Sequence, residues 1–361
     1  MLRVAQISFH HDAAERRPAE LLQAWPTLTQ LAVSAHDGGA QVQVFQASRH
    51  VERREHAGIP LHFGPLDGAA LHAAVAGADV LHVQGLGFAR EVLRLAALAH
   101  GRPIVLQDRA DRPPAPWRRG LWRAAMEAAR GLLFCSWEQS LPFSQRGLIS
   151  AGTRIYELPG SSSQFRPQDR EAARRRTGLH GNPGLLWVAH LDANKDPLSV
   201  LDALAVAAPQ LPDLQLWCCF GRAPLMESMQ ARIDGDARLR GRVHLLGAQP
   251  HAQIEVWMNA ADFLVQGSHR EATGYSVVEA LACGLPPLVT DIPAFRAVLG
   301  ETAWPALWPV AQPSALAQAL VASHAMDRPT LREAARARFE SALSPAALGQ
   351  RLVGVYRDVL S

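Results

Sequence analysis

Two carboxylates, Glu271 and Glu279, bracket a short loop and the start of a helix in ADFLVQGSHREATGYSVVEALACGLPPLVTD, residues 261–291. The segment reads as strand, loop, helix over 277–283, tight turn, strand. Gly274 gives the loop 272–276 backbone freedom. The helix that follows aims N–H groups without helical partners outward, which suits phosphate. Phosphate repels carboxylates, so Glu271 and Glu279 make sense there only if each faces neutral hydroxyls, as in a ribose diol or a sugar ring. That combination points to a nucleotide-sugar site. The plainer account is that both acids complement the helix dipole, and it loses ground when the whole segment is read together.

A second signal is compositional. Of 36 basic residues, 35 are arginine and one is lysine, at position 195. Lys195 lies in LLWVAHLDANKDPLSVLDAL, which reads as a strand over 185–189, a polar loop and a helix from Pro197. Its ammonium can therefore reach the mouth of the same sheet, and a compact charge on a flexible stem suits a phosphate oxygen. The alternative is an exposed lysine kept by chance.

The Glu-x7-Glu spacing, the Ala-Leu-Ala-Cys-Gly-Leu-Pro run over 280–286 and a strand ending at Thr290-Asp291 together resemble the donor-site signature of glycosyltransferase family 4. The likeness covers most of residues 155–300. It implies a retaining enzyme of the α/β GT-B fold, two Rossmann-like, doubly wound domains facing across a cleft. It also implies that Glu271 contacts donor-sugar hydroxyls and Glu279 the nucleotide ribose. Amides of Gly274, Tyr275, Ser276 and Val277 would hold sugar and diphosphate, and backbone near Leu246 would touch the base. Family members pair an arginine soon after the strand with a lysine further on. Lys195 matches the lysine, but His190 stands at the arginine position. Imidazole is largely neutral near pH 7, which predicts weaker or more pH-dependent diphosphate binding.

Length and composition frame these sites. A chain of 361 residues favours two domains, and 48% hydrophobic content without low-complexity runs indicates a globular, soluble protein. A net charge of +3 is too small to argue for nucleic acid. The start, MLRVAQISF, reads as a first strand and not as a signal peptide, and no apolar run is long enough to span a membrane. Cys135, Cys218, Cys219 and Cys283 fit neither a zinc spacing nor a disulfide framework, which suits reduced thiols in the cytoplasm.

Short apolar runs alternate with helical patterns, predicting parallel sheets covered by helices. Strands are expected at 3–8, 41–46, 80–84, 103–107 and 132–136, then at 185–189, 214–219, 243–246, 263–266 and 287–290. Helices are expected over 18–36, 91–100 and 121–129. The turn-rich string 158–163 is the linker. The expected domains are 1–160 for the acceptor, 161–340 for the nucleotide-sugar donor, and 341–361, whose helix over 346–360 resembles the family's closing helix crossing back to the first domain. Gly221 and Gly247, each after a strand, would let backbone approach a flat base, though a plain strand-end glycine is as common.

The first half says less. The loop Phe9-His-His-Asp-Ala-Ala14 lacks the paired glycines of family members, and His10, His11 and Asp12 do not have the spacing of a metal site; neither metal nor other cofactor is expected. His82 and Gln84 end one strand, Gln107 and Asp108 another. Many relatives have a histidine where Gln107 aligns. The resemblance implies that the leaving diphosphate takes the acceptor's proton, with Lys195 and protonated His190 neutralising it and Asp108 or His82 orienting the attacking hydroxyl.

The stretch 113–123 mixes arginines with Trp117 and Trp122, which suggests peripheral contact with the inner face of a membrane or, more simply, a solvated face. The rival readings are a sugar-nucleotide epimerase of the same fold, a non-catalytic binding or partner subunit, and a nicotinamide dehydrogenase, which lacks its glycine fingerprint here. Base, sugar, acceptor and oligomeric state stay open.

Overall fold

A computed structural model describes every residue except Pro26 and Ala110, and the side chain of Thr27 is also outside the described residues. The chain divides into two compact units, Met1–Ser162 with Ser344–Ser361, and Ser163–Leu343. The boundaries expected from sequence lie two and three residues earlier, at 160/161 and 340/341.

The first unit holds β1 (Arg3–Ser8), β2 (Gln41–Ala47), β3 (Glu52–His56), β4 (Ile59–Gly64), β5 (Val80–Gln84), β6 (Ile104–Gln107), β7 (Gly131–Phe134) and β8 (Arg154–Glu157), in the order β3-β4-β2-β1-β5-β6-β7-β8. Its pairings are parallel except β3 with β4. Side chains alternate across the strands, so Ile7, Leu81, Val83 and Leu106 build one apolar cluster while Val4, Val42, Val80 and Val105 build another on the opposite face. The second unit holds β9 (Gly184–Val188), β10 (Gln215–Cys219), β11 (Val243–Gly247), β12 (Phe263–Gln266), β13 (Pro287–Thr290) and β14 (Leu307–Trp308), all parallel, in the order β11-β10-β9-β12-β13-β14.

The apolar strands fall where hydrophobic runs predict them. Four strands are missed from sequence: β3 and β8 carry few apolar residues, β14 is only two residues long, and in β4 a proline and a histidine interrupt the buried Ile59, Leu61 and Phe63. β3 is Glu-Arg-Arg-Glu-His, mostly exposed, a charged edge strand of the kind that discourages further pairing. It joins β4 through Ala57 and Gly58, both at positive φ (51° and 75°), the geometry of a tight hairpin turn. The single helix expected over 18–36 is two, Pro18–Ala24 and Thr27–Asp37. Pro26, between them, lies outside the described residues.

The last helix, Pro345–Asp358, belongs to the first unit and lies tightly on Thr27–Asp37. A Cβ at Gly38 would sit 2.6 Å from the Gly349 carbonyl oxygen, and one at Gly349 would overlap that of Ser34, so glycine is needed both in the last helix and in the turn just after Thr27–Asp37.

In the second sheet the chain leaves β9 for β10 on one side and returns to β12 on the other. The carboxyl ends of β9 and β12 therefore flank the topological switch point, where open α/β sheets bind ligands. β1 and β5 play the same part in the first sheet.

Candidate functional site in the second unit

The switch point is pinned by one amide. Gln266, the last residue of β12, donates from Nε2 to Val188 O at the end of β9 (3.0 Å) and to Ser276 Oγ (2.5 Å), bringing the N-terminus of the helix Tyr275–Ala282 to the strand ends. The loop after β9 is a nest of turns. Lys195 N donates to Asp192 O and Oδ1 (3.1 and 3.0 Å), and Asp196, at φ 50°, caps the helix Pro197–Ala207 by accepting from Ser199 N at 3.2 Å.

The loop after β12 is laced to it: His269 N donates to Asn194 O (2.7 Å) and Asn194 Nδ2 to Arg270 O (3.1 Å). A Cβ at Gly267 would stand 2.7 Å from Asp196 O, so only glycine permits this approach. The lacing brings Lys195 and Glu271 together as an ion pair, with Ser268 Oγ donating to the same carboxylate oxygen at 2.8 Å. Both side chains stay partly reachable, 20% and 14% exposed.

Gly274 caps the adjacent helix at φ 83°, and the Phe295 ring occupies the space a Cβ would need. The helix starts at Tyr275, two residues before the expected 277. The Val277 amide accordingly donates to Gly274 O at 3.0 Å and the residue is buried, so its expected contact with a diphosphate is corrected. Gly274, Tyr275 and Ser276 form the helix entrance.

Glu279 lies one turn further in and is 2% exposed. Sequence reading places it open to a ribose, whereas here its carboxylate is covered by His251 and hydrogen-bonded with Tyr275. Burial raises its pKa, and those two partners offset only part of that shift.

His190 follows β9 as expected, but as a neutral group. Its Nδ1 accepts from Arg222 N at 3.1 Å, and burial, then the charge of Arg222, holds its pKa below 6.5. Sequence reading gives His190 a role at a diphosphate only when the ring is protonated, and burial and Arg222 both oppose that protonation. Gly221 packs on the same ring, 3.4 Å from His190 Cε1 to where its Cβ would be. Leu246 is the next-to-last residue of β11, before Gly247, and its carbonyl accepts from Gln249 Nε2 at 3.2 Å.

Arg222 and His251 escape sequence reading. Arginines are too common in this chain for one to stand out, and no spacing links His251 to Glu279 across 28 residues.

In the first unit, His82 is corrected: it is fully buried, with Nδ1 2.7 Å from Tyr356 Oη, and burial lowers its pKa to about 4. With no exposed surface, the imidazole does not reach an acceptor. Asp108 is 7% exposed and accepts from Asp111 N at 2.9 Å, a turn-capping role. Asp12 pairs with Arg16 at 2.9 Å, which holds its carboxyl at about 2. Among the described residues no three His, Cys, Asp or Glu side chains form a metal-binding group. The four cysteines are buried without disulfides. A cavity of about 600 Å³ opens at the carboxyl ends of β1 and β5, lined by Ser8, His10, Trp25, Gln84, Phe88 and Arg109 among others. In the stretch 113–123, Trp122 is buried against Phe143 while Trp117 is 84% exposed.

Two doubly wound units with a polar, cationic site at the second sheet's switch point define the GT-B class of glycosyltransferase folds. The structure superposes over 99% of its length on a sucrose-phosphate synthase from Thermosynechococcus elongatus (99% of that chain, TM-score 0.70, 19% identity). It does so equally on the Anabaena protein HepE in complex with UDP and glucose (99% of this chain and 100% of that one, TM-score 0.68, 18% identity). Residues 169–337, which lie within the second unit, match the model of the family described as glycosyl transferases group 1. Among curated relatives, the chain is 25% identical over 237 residues to a GDP-mannose:cellobiosyl-diphosphopolyprenol alpha-mannosyltransferase of Xanthomonas campestris. That match covers 63% of this chain and 60% of the relative's length.

Proposed function

We propose that the protein is a retaining glycosyltransferase that moves a sugar from a nucleotide-diphosphate donor to a hydroxyl acceptor. The observation that carries this reading is the Lys195–Glu271 pair, held by interlaced loops at the switch point beside the entrance of the helix Tyr275–Ala282. An ammonium there meets the diphosphate, and Glu271, already accepting from Ser268, accepts in turn from donor-sugar hydroxyls. Arg222, whose backbone is bonded to His190, supplies the second cation that the neutral imidazole does not. The leaving diphosphate takes the acceptor's proton while these cations stabilise it. The reading needs no metal. Glu279 serves the ribose, and the cavity lined by Trp25, His10 and Phe88 is where the first unit takes its acceptor.

One relative's name places its acceptor on a diphosphopolyprenol. Exposed Trp117, with Arg118, Arg119 and Arg123 nearby in the chain and also exposed, fits peripheral contact with an anionic leaflet, and no helix among the described residues is long and apolar enough to cross one. Flotation with anionic vesicles at low but not high salt checks that contact.

Nucleotide binding tests the donor site first. UDP, GDP or ADP should raise the melting temperature of the protein, and Glu279→Gln should weaken that effect at least tenfold in affinity; unchanged affinity counts against the assignment. Transfer from the matching nucleotide sugar, with product anomeric configuration read by NMR, then separates a retaining transferase from an epimerase or a binding subunit.

A further inference from the structure

The acid expected at the ribose is the one least able to reach it alone. Glu279 has a side chain 3% exposed, and the group over it, His251, is 36% exposed. His251 opens the helix His251–Ala260 directly after the β11 loop, so it stands at the same carboxyl edge of the sheet as the entrance of Tyr275–Ala282. It lies in sequence between the strand end expected to meet the base, at Leu246, and the helix entrance expected to meet the diphosphate. Its Nε2 bonds to Glu279 Oε1 and lies 3.4 Å from Tyr275 Oη. Phe165 and Tyr275 hold the ring, with centroids at 4.7 Å and 6.0 Å and interplanar angles of 32° and 18°.

Resting on the donor reading above, we propose that His251 and Glu279 recognise the donor's ribose as a unit, with the imidazole as the member that touches it. With Nε2 donating to the carboxylate, Nδ1 is the nitrogen left to accept from a ribose hydroxyl. The carboxylate fixes the tautomer and orients the ring, as a carboxylate does behind a metal-bound or catalytic histidine. The two flanking rings leave the imidazole little freedom to turn away. His251 is thereby a specificity-determining residue for a ribonucleotide.

Titration calorimetry tests this with whichever of UDP, GDP or ADP stabilises the wild type most, alongside its 2′-deoxy and 3′-deoxy forms. The wild type should bind the ribonucleotide about tenfold more tightly than at least one deoxy form, the worth of one hydrogen bond to a polarised group. His251→Ala should lose that preference by weakening on the ribonucleotide alone. His251→Gln, which can donate to Glu279 and accept from the sugar, should keep most of it. A ratio of affinities within one variant is independent of how much of that variant is folded, so a destabilised His251→Ala remains informative. A wild type that binds without distinguishing ribose from deoxyribose overturns the dyad and leaves the donor site standing. So does a His251→Ala variant that keeps the preference, since the imidazole is then only a cover. A wild type that binds none of the three nucleotides removes the donor site and the dyad together.

Discussion

Strand β12 has a carboxylate near each end, Asp262 before it and Glu271 after it, and the two are built on opposite plans. Asp262 is 4% exposed and fully engaged: Oδ1 meets Arg170 and Arg328 (2.6 Å to Arg328 Nη1), and Oδ2 meets Arg174 Nη2 at 3.0 Å and Gly184 N at 2.8 Å. The surrounding guanidiniums have further work, with Arg174 Nε donating to Ala260 O and Arg332 to Ala261 O and Cys283 O, the carboxyl ends of two helices. This is a closed staple made of planar, multidentate arginines. Glu271 instead meets the chain's single lysine and a serine, on loops, at a partly exposed strand end. A carboxylate with every acceptor direction filled by protein holds a fold; one held by a flexible ammonium can exchange partners with a ligand.

The sharpest way to break this contrast is Asp262→Ala. Burial alone would raise the Asp262 pKa, yet the arginines and the Gly184 amide outweigh it and hold it below the usual carboxylate value. Its removal strands three guanidiniums, so urea unfolding should show a loss of about 3 to 5 kcal/mol, while the affinity of the folded protein for a nucleoside diphosphate stays within about twofold. A large loss of affinity at preserved stability would erase the distinction between the two ends.

His82 extends the closed plan to the first unit, where Tyr356 Oη also accepts from Gln6 Nε2 at 3.3 Å. Its pKa falls from 6.5 to about 4 because burial penalises the cation. A depressed folded-state pKa gives stability that is complete above 6.5 and lost as pH falls toward 4. The loss over that window should approach about 3 kcal/mol, and His82→Gln should flatten that part of the stability profile in urea titrations.

At the open end the sign reverses. Lys195→Ala should lower the transfer rate about a hundredfold yet cost about 1 kcal/mol or less in unfolding, because the pair it breaks is partly solvated. Rates with a saturating nucleotide sugar, beside melts of the same preparation, decide whether the pair serves the donor or the fold.

Sequence shows the two ends unequally, for physical reasons. Lys195, Glu271 and Gly274 are legible because a lone lysine, an acid before a helix and a loop glycine each break the local pattern. The central parallel strands are legible because burial on both faces demands continuous apolar runs, whereas the edge strands β3, β8 and β14 are polar or very short and β4 is broken by Pro60 and His62. Asp262 hides as one acid among many, since its meaning arises only when Arg170, Arg174 and Arg328 converge from distant segments. His82 misleads in the opposite direction: a histidine at a strand end looks like a ligand group until the last helix delivers Tyr356 to it.

His190 tests the open end most finely, because it separates charge from shape. Its Nδ1 is spent on the Arg222 amide and its ring is held neutral by burial and then by Arg222. At pH 7.5, therefore, His190→Gln, whose side-chain oxygen can accept the same amide, should leave nucleoside diphosphate affinity within about twofold. His190→Arg should tighten it about fivefold by adding a charge near the phosphates. The wild type should gain affinity as pH drops below 6.5 and the imidazole takes up a proton against its lowered pKa, and His190→Gln should lack that gain. Calorimetric affinities from pH 5.5 to 8 measure all three. An equal gain at low pH in both proteins would move the titrating group away from His190, and a strong loss in His190→Gln at pH 7.5 would show that the imidazole itself, and not Arg222, meets the diphosphate.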